Sequence, residues 1–326
     1  MSAQPQSHAP AGARASLSPL RDAAGRIGGV ARQPFGPLEG LIGDWVGTGF
    51  NAIWRPHFDA PGAAPLGDHF LMLNMTREHL SVKAVSTAVP NRGLSEPDIT
   101  LTALQYVQQI TDANFPPPLG GGAMHFEPGL WLLVPATADT ANEITVNRLA
   151  SIPHGATILA VGTAETIEGP LPIGATSITP FSVGHPSQTS TFPEQALGGT
   201  LATRNDPLPG EITQALLDDP NSLLTSLNAD SIAAGFTLVS AVQLTVATPG
   251  AETPPQPAGG GVSGIPFLSP TSAASVGGVS ATFWIETWKA PDNTQGLILQ
   301  YSQTVLLNFN DFSWPHVTVG SLSKGF

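Results

Sequence analysis

The chain of 326 residues has no cysteine at all. That removes a disulfide frame, a thiolate metal site and a cysteine nucleophile together, and it fits a reducing compartment, so the expected location is cytoplasmic. Charge is also scarce. Charged residues make up 11% of the chain, with 12 basic against 24 acidic side chains and a formal net charge of −12. Four of the basic residues (Arg14, Arg21, Arg26, Arg32) fall in the first 36 positions. A phosphate backbone or an anionic membrane needs clustered Lys and Arg, so nucleic acid and membrane are not expected partners. No apolar run reaches the length of a membrane-spanning helix, and the N-terminus lacks the apolar stretch of a secretion signal. Among familiar catalytic signatures, G-x-S-x-G, the P-loop, H-E-x-x-H and an acidic calcium loop are all missing. Gly47–Thr48–Gly49 opens like a dinucleotide fingerprint but lacks the third glycine and any helix behind it.

Turn formers are abundant, with Gly 35 and Pro 32. They punctuate apolar alternating runs, which is the pattern of a β protein. Residues 1–36, rich in Ala, Ser, Gly and Arg, read as a flexible leader; transit peptides share that composition. Residues 37–326 read as one β domain with insertions near 168–230 and 250–275. In "GDWVGTGFNAIW" (43–54), Trp45, Gly47, Gly49 and Asn51 fall on one face of a strand, and Val46, Thr48 and Phe50 on the other. The glycines would let a ligand or another backbone come close. Residues 69–89 hold two strand-like runs, and 98–112, 123–136 and 145–167 continue the alternation, with breaks at Pro128–Gly129 and Pro153–His154–Gly155. Residues 211–230 form the one helical stretch, split by Pro220. "PDNTQG" (291–296) and "NFND" (308–311) mark hairpin turns in the closing strands. Many strands with one helical, loop-rich insertion predict an all-β fold, an antiparallel up-and-down barrel of the lipocalin-like kind, with a sandwich as the alternative. Such a barrel encloses a small-molecule ligand or is filled by its own side chains.

Histidine carries the candidate chemistry. His125 and Glu127 share one strand face and, with His154, would supply a two-His, one-carboxylate metal site; a polar pair at the barrel rim, hydrogen-bonded to the Pro128–Gly129 turn, explains the same spacing. Glu78 and His79 point to opposite faces and read as a solvated edge. His57, His69 and His185 lie beside loops and read as exposed. His316 opens the last strand, behind a Trp–Pro corner, in an apolar segment. One acceptor fixes the tautomer of such an imidazole and frees the other nitrogen for iron; a packed, satisfied ring is the plainer reading.

"LEGLIGDWVGTGFNAIW" (38–54) resembles the opening of nitrobindin-like proteins, members of the lipocalin-like calycin group. "LILQYSQTVLLNFNDFSWPHVTVGSLSK" (297–324) is similar to their closing hairpin, and "MHFEPGLWLL" (124–133) to their H-x-E-x-G-F strand. The resemblance covers short segments of a chain about twice the usual family length. It implies a barrel of about ten strands holding b-type heme at one open end through a single axial histidine. The position that matches is His316. Family members are linked to nitric oxide binding and to peroxynitrite chemistry at ferric heme, and peroxide is a related substrate. The corresponding pocket walls are Trp45, Phe50 and Trp131, with His125 or His154 near the mouth. A heme-free barrel that binds or modifies an apolar small molecule stays open as the second reading.

Overall fold

The computed structural model describes residues 35–57, 68–85, 88–114, 122–138, 143–153, 155–250, 260–264 and 274–324. A 3-10 helix, Gly36–Leu41, leads into β1 (Gly43–Pro56), β2 (His69–Ala84), β3 (Val89–Asn91), β4 (Ile99–Asp112), β5 (Ala123–Val134), β6 (Thr145–Ile152) and β7 (Ala156–Ile167). The short strands β8 (Phe181–Ser182) and β9 (His185–Thr189) precede two helices, α1 (Gln214–Asp218) and α2 (Ser222–Ala233), which Pro220 separates. The chain ends with β10 (Thr237–Ala247), β11 (Gly261–Gly264), β12 (Ser275–Lys289), β13 (Gln295–Phe309) and β14 (Phe312–Lys324).

Ten of these strands close on themselves in the order β1-β2-β4-β5-β6-β7-β10-β12-β13-β14, and β14 pairs back onto β1. Every barrel pairing is antiparallel. The architecture is therefore the up-and-down barrel expected from the alternation, and the sandwich is excluded. Both expected turns are present. At Asn310 and Asp311 φ is 50° and 65°, the left-handed pair that a two-residue hairpin requires, and Asn293 (φ 69°) bends the other. Two expectations need correction. Residues 69–84 form one strand rather than two runs, because the strand is long enough to pair with all of β1 and with β4. The chain also passes straight through Pro128–Gly129. Pro128 lies opposite Val107, and the irregularity in this ladder falls at Ile110/Thr111 instead.

The glycines of β1 answer the question they raised. A Cβ at Gly47 would stand 2.1 Å from the Ser321 carbonyl oxygen, so a backbone comes close there, not a ligand. Two tyrosines use the same device. Tyr301 is in register with Gly320, and Tyr106 with Gly129. In each case a Cβ on the glycine would lie 2.5 Å from the tyrosine ring. The aromatic side chain thus lies across the glycine, filling the inside of the barrel.

Two large apolar cores result among the described residues, beside a small cluster of Leu101, Ala103 and Leu132. Inside, Trp45, Leu80, Val82, Leu104, Trp131 and Phe283 pack together, and Leu38 and Leu41 of the 3-10 helix seal this end. The Trp45 indole donates to the Leu41 carbonyl at 2.8 Å. Outside, Phe50, Ala52, Trp54, Val317 and Val319 are covered by Ile178, Ile212, Leu216, Leu217 and Leu224 of the inserted segment. β1 thus carries large apolar side chains on both faces, Trp45 inside and Phe50 and Trp54 outside.

Candidate functional site

Toward the end opposite the 3-10 helix, four neighbouring strands carry a run of polar side chains, facing Val305 and Val279 of β13 and β12. His316, half-buried, is in register with Val305. Its Nε2 lies 2.7 Å from Asn51 Oδ1. Thr318 donates to the same oxygen at 3.0 Å and lies 3.3 Å from the ring nitrogen. Asn51 is opposite Asn74 on β2, whose Nδ2 donates to Asp112 Oδ2 at 2.5 Å. Asn74 Oδ1 is buried and accepts nothing. This collar, from β14 through β1 and β2 to β4, is the barrel mouth.

Below it the interior is a hydrogen-bonded floor. Glu78 is fully enclosed; Tyr301 Oη lies 2.8 and 2.7 Å from its two oxygens, and Gln108 Nε2 donates to it at 3.3 Å. Gly49 and Gly320 make the space: a Cβ on either would come within 2.9 and 3.1 Å of Glu78 Oε1. On the far wall the Arg148 guanidinium donates to Glu127 at 2.6 Å, to Tyr106 Oη at 2.9 Å and to Gln303 at 2.5 Å. Glu127 also accepts from Tyr106 and pairs with His125 Nε2 at 2.9 Å.

Burial acts differently on the two carboxylates. It pushes the Glu78 carboxyl up to about 7, only partly countered by the hydrogen bonds from Tyr301, Gln108 and Thr76. Burial would raise Glu127 too, but the Arg148 guanidinium and the His125 bond hold it below the usual carboxylate range. A pH prediction follows for Glu78. Folding raises its pKa above the ordinary 4.5, so the folded state keeps a proton that the unfolded chain releases. This contribution is complete below about pH 4.5 and is lost as the pH climbs toward 7, on the order of 3 kcal/mol. Glu78→Gln is expected to flatten the fall in melting temperature between pH 5 and 8 and to make the variant the more stable protein at pH 8. Parallel pH profiles for the two proteins would count against a buried, titrating Glu78. Glu286, raised to about 7 by burial, leaves a residual slope in both.

The sequence candidates separate. His316 is at the mouth and His125 is on β5 beside Glu127. Trp45 and Trp131 are inside, in the core that the 3-10 helix seals. Phe50 faces outward into the second core and does not line the interior. His154 lies outside the described residues. Among the described residues no group of three or more His, Asp or Glu side chains is placed to hold a metal ion. His125 and Glu127 are hydrogen-bonded to each other at 2.9 Å, but Glu127 is fully buried against Arg148 and is neither at a rim nor bonded to a Pro-Gly turn, because β5 runs on through Pro128–Gly129. His69 is not exposed: its side chain is 15% accessible and stacks on Trp314 with centroids 5.0 Å apart. The residue that sequence reasoning missed is Glu78. It reads as surface because Arg77 and His79 flank it, and its partner Tyr301 is 223 positions away.

Compared with known proteins, the chain matches no family model and no curated protein. The fold and the site geometry stand on their own. No helix among the described residues is long and apolar enough to cross a membrane.

Whether the mouth suits a heme turns on His316. Its residue type, its place on the closing strand and its half-exposure fit an axial ligand. Its Nε2, bonded to Asn51, would have to exchange that oxygen for the metal.

Proposed function

We propose that this barrel binds a small molecule in its mouth, at the collar formed by His316, Asn51, Thr318 and Asn74, and that the ligand is b-type heme held by His316. The observation that carries the reading is the placement of a half-buried imidazole on the inner face of the last strand, above a floor that is already filled. Iron bound there would supply ligand exchange and redox chemistry toward nitric oxide, peroxynitrite or peroxide. The chain's own contribution is to hold the imidazole through Asn51 and Thr318 until a ligand takes its Nε2 from them, and to keep water from the polar floor below. The Asn51 bond favours a second reading, a heme-free barrel, because it satisfies the ring without metal.

A hemin titration followed in the visible spectrum decides between them. Heme binding predicts a saturable Soret shift that is lost in His316→Ala and tighter in Asn51→Val, where the competing acceptor is gone. The expected gain in Asn51→Val is about tenfold, the equivalent of one net hydrogen bond to an imidazole. A shift that survives unchanged in His316→Ala removes His316 as ligand. No saturable shift in any of the three proteins leaves the heme-free reading.

A further inference from the structure

At the sealed end of the barrel, a half-open cleft of about 820 Å³ lies where the end of α2, the β12–β13 hairpin and the last residues of β14 meet. Phe236, Ala290, Leu297 and Ile298 form much of its wall, with Ser323 and Lys324 on the β14 side. These side chains are within reach of solvent. Ala290, Leu297, Ile298 and Lys324 are half-buried, and Phe236 is 40% exposed. Ile232 and Val239, on either side of Phe236 in the chain, are 60% and 44% exposed. One exposed apolar side chain needs no explanation, but three within eight residues beside an apolar cleft mark a surface that meets something.

Lys324 is the one charged side chain among the described residues of this lining. It is opposite Trp45 in the β1–β14 ladder, and its stem lies over Gly43, where a Cβ would stand 2.5 Å from Lys324 Cε. The ammonium is thereby held 5.3 Å from the centre of the Trp45 ring, and it donates to the Gly40 carbonyl at a long 3.4 Å. An ammonium has three donors, and this bond uses one. Burial lowers the Lys324 pKa, and no carboxylate among the described residues pairs with it. Asp292, in the adjoining turn, is engaged by Thr294 through both its backbone nitrogen and its hydroxyl. The cleft thus offers a positioned cation, without a counter-charge, at one end of an apolar wall.

That combination selects among ligands. A purely apolar molecule would cover the wall and leave the ammonium further desolvated and unpaired. A cationic amphiphile would meet Lys324 as a like charge. A phosphate group is ordinarily held by several cations or a row of backbone amides, and here there is one lysine. A carboxylate matches a single ammonium, in a charge-assisted bond. Small-molecule sites span roughly 300–1,000 Å³, and this cleft is toward the upper bound, larger than a short acid would fill. We infer that the cleft binds an amphipathic carboxylate of about the size of a medium-chain fatty acid, with the carboxylate on Lys324 Nζ and the chain along Phe236, Leu297 and Ile298. The site is at the opposite end of the barrel from the collar and rests on neither reading of the mouth.

The test is calorimetric titration of the full chain with sodium decanoate, 1-decanol and decyltrimethylammonium, each below its micelle threshold. Saturable binding is expected for decanoate, weaker binding for the alcohol and none for the cation. Lys324→Met keeps an apolar stem over Gly43 and removes the charge. It should weaken decanoate about tenfold at low ionic strength, less in high salt, and leave the alcohol unchanged. Phe236→Ser, at an exposed position, should weaken both ligands, and it decides the matter if Lys324→Met proves to have a lowered melting temperature. Hemin titrations of both variants should match the wild type; if hemin binds none of the proteins, the heme reading fails and this one still stands on decanoate. An absence of saturable decanoate binding would overturn the inference. So would an unchanged decanoate affinity in a stably folded Lys324→Met, or displacement of decanoate by hemin, which would move the ligand to the mouth.

Discussion

Arg148→Met is expected to destabilise the barrel by about 3–5 kcal/mol, the usual consequence of leaving one member of a buried ion pair alone. Arg148 is 2% exposed, and its guanidinium serves three groups on β4, β5 and β13. Its removal leaves Glu127, which is 0% exposed, with only Tyr106 and His125 as partners. Without the guanidinium, burial dominates and Glu127 takes up a proton, so the loss is steepest at high pH. The double variant Arg148→Met/Glu127→Gln separates the cost of a stranded charge from the worth of the pair. It should recover most of the stability, as expected when a buried pair contributes little net energy against a neutral replacement. Urea unfolding of the four proteins of this cycle gives the coupling directly. Equal losses in the single and double variants would show that Arg148 acts through packing over Trp131 and Phe283 rather than through charge.

Trp314→Ala should cost a similar amount, about 3–5 kcal/mol, by the cavity it leaves. Its ring lies flat against Phe309, with centroids 4.8 Å apart, and touches Trp54 at 5.2 Å and Phe192 at 4.9 Å. The indole nitrogen donates to the Phe309 carbonyl at 2.9 Å. Phe192 belongs to the inserted segment and Trp54 to β1, so this one side chain joins the insertion to the barrel wall. The variant is therefore expected to expose residues 183–210 to limited proteolysis before the barrel itself unfolds. Trp314→Phe should keep most of the packing and lose only the hydrogen bond, about 1 kcal/mol. An insertion that stays protected in Trp314→Ala would mean that Leu216, Leu217 and Leu224 hold it without the tryptophan.

How much of this was legible in the sequence depended on how local the cause was. Alternation in 43–54, the turns at 291–296 and 308–311 and the helix break at Pro220 are written within a few residues, and each is where it was expected. Phe50 was misplaced as a pocket wall because β1 carries large apolar side chains on both faces, and alternation alone does not say which face looks inward. Pro128–Gly129 signalled a break, yet the glycine is there so that Tyr106 can lie across it. Glu78 was hidden for the same kind of reason. The glycines that make room for it, Gly49 and Gly320, and the tyrosine that bonds it are on other strands. His316 is on the last strand as expected, but its bond to Asn51 joins positions 265 apart and left no mark in either segment.

The pairing of β1 with β14 has a consequence for how the protein is made. The first barrel strand to leave the ribosome waits for the last, and until residues 312–324 emerge both β1 and β13 carry unpaired backbone edges open to other chains. Closure joins segments more than 260 residues apart, a non-local contact of the kind that slows folding. The imidazole of His316 rides on that final strand and meets Asn51 only when the ring shuts. The mouth is thus the last part of the molecule to exist, and a chain that stalls before closure never brings His316 and Asn51 together.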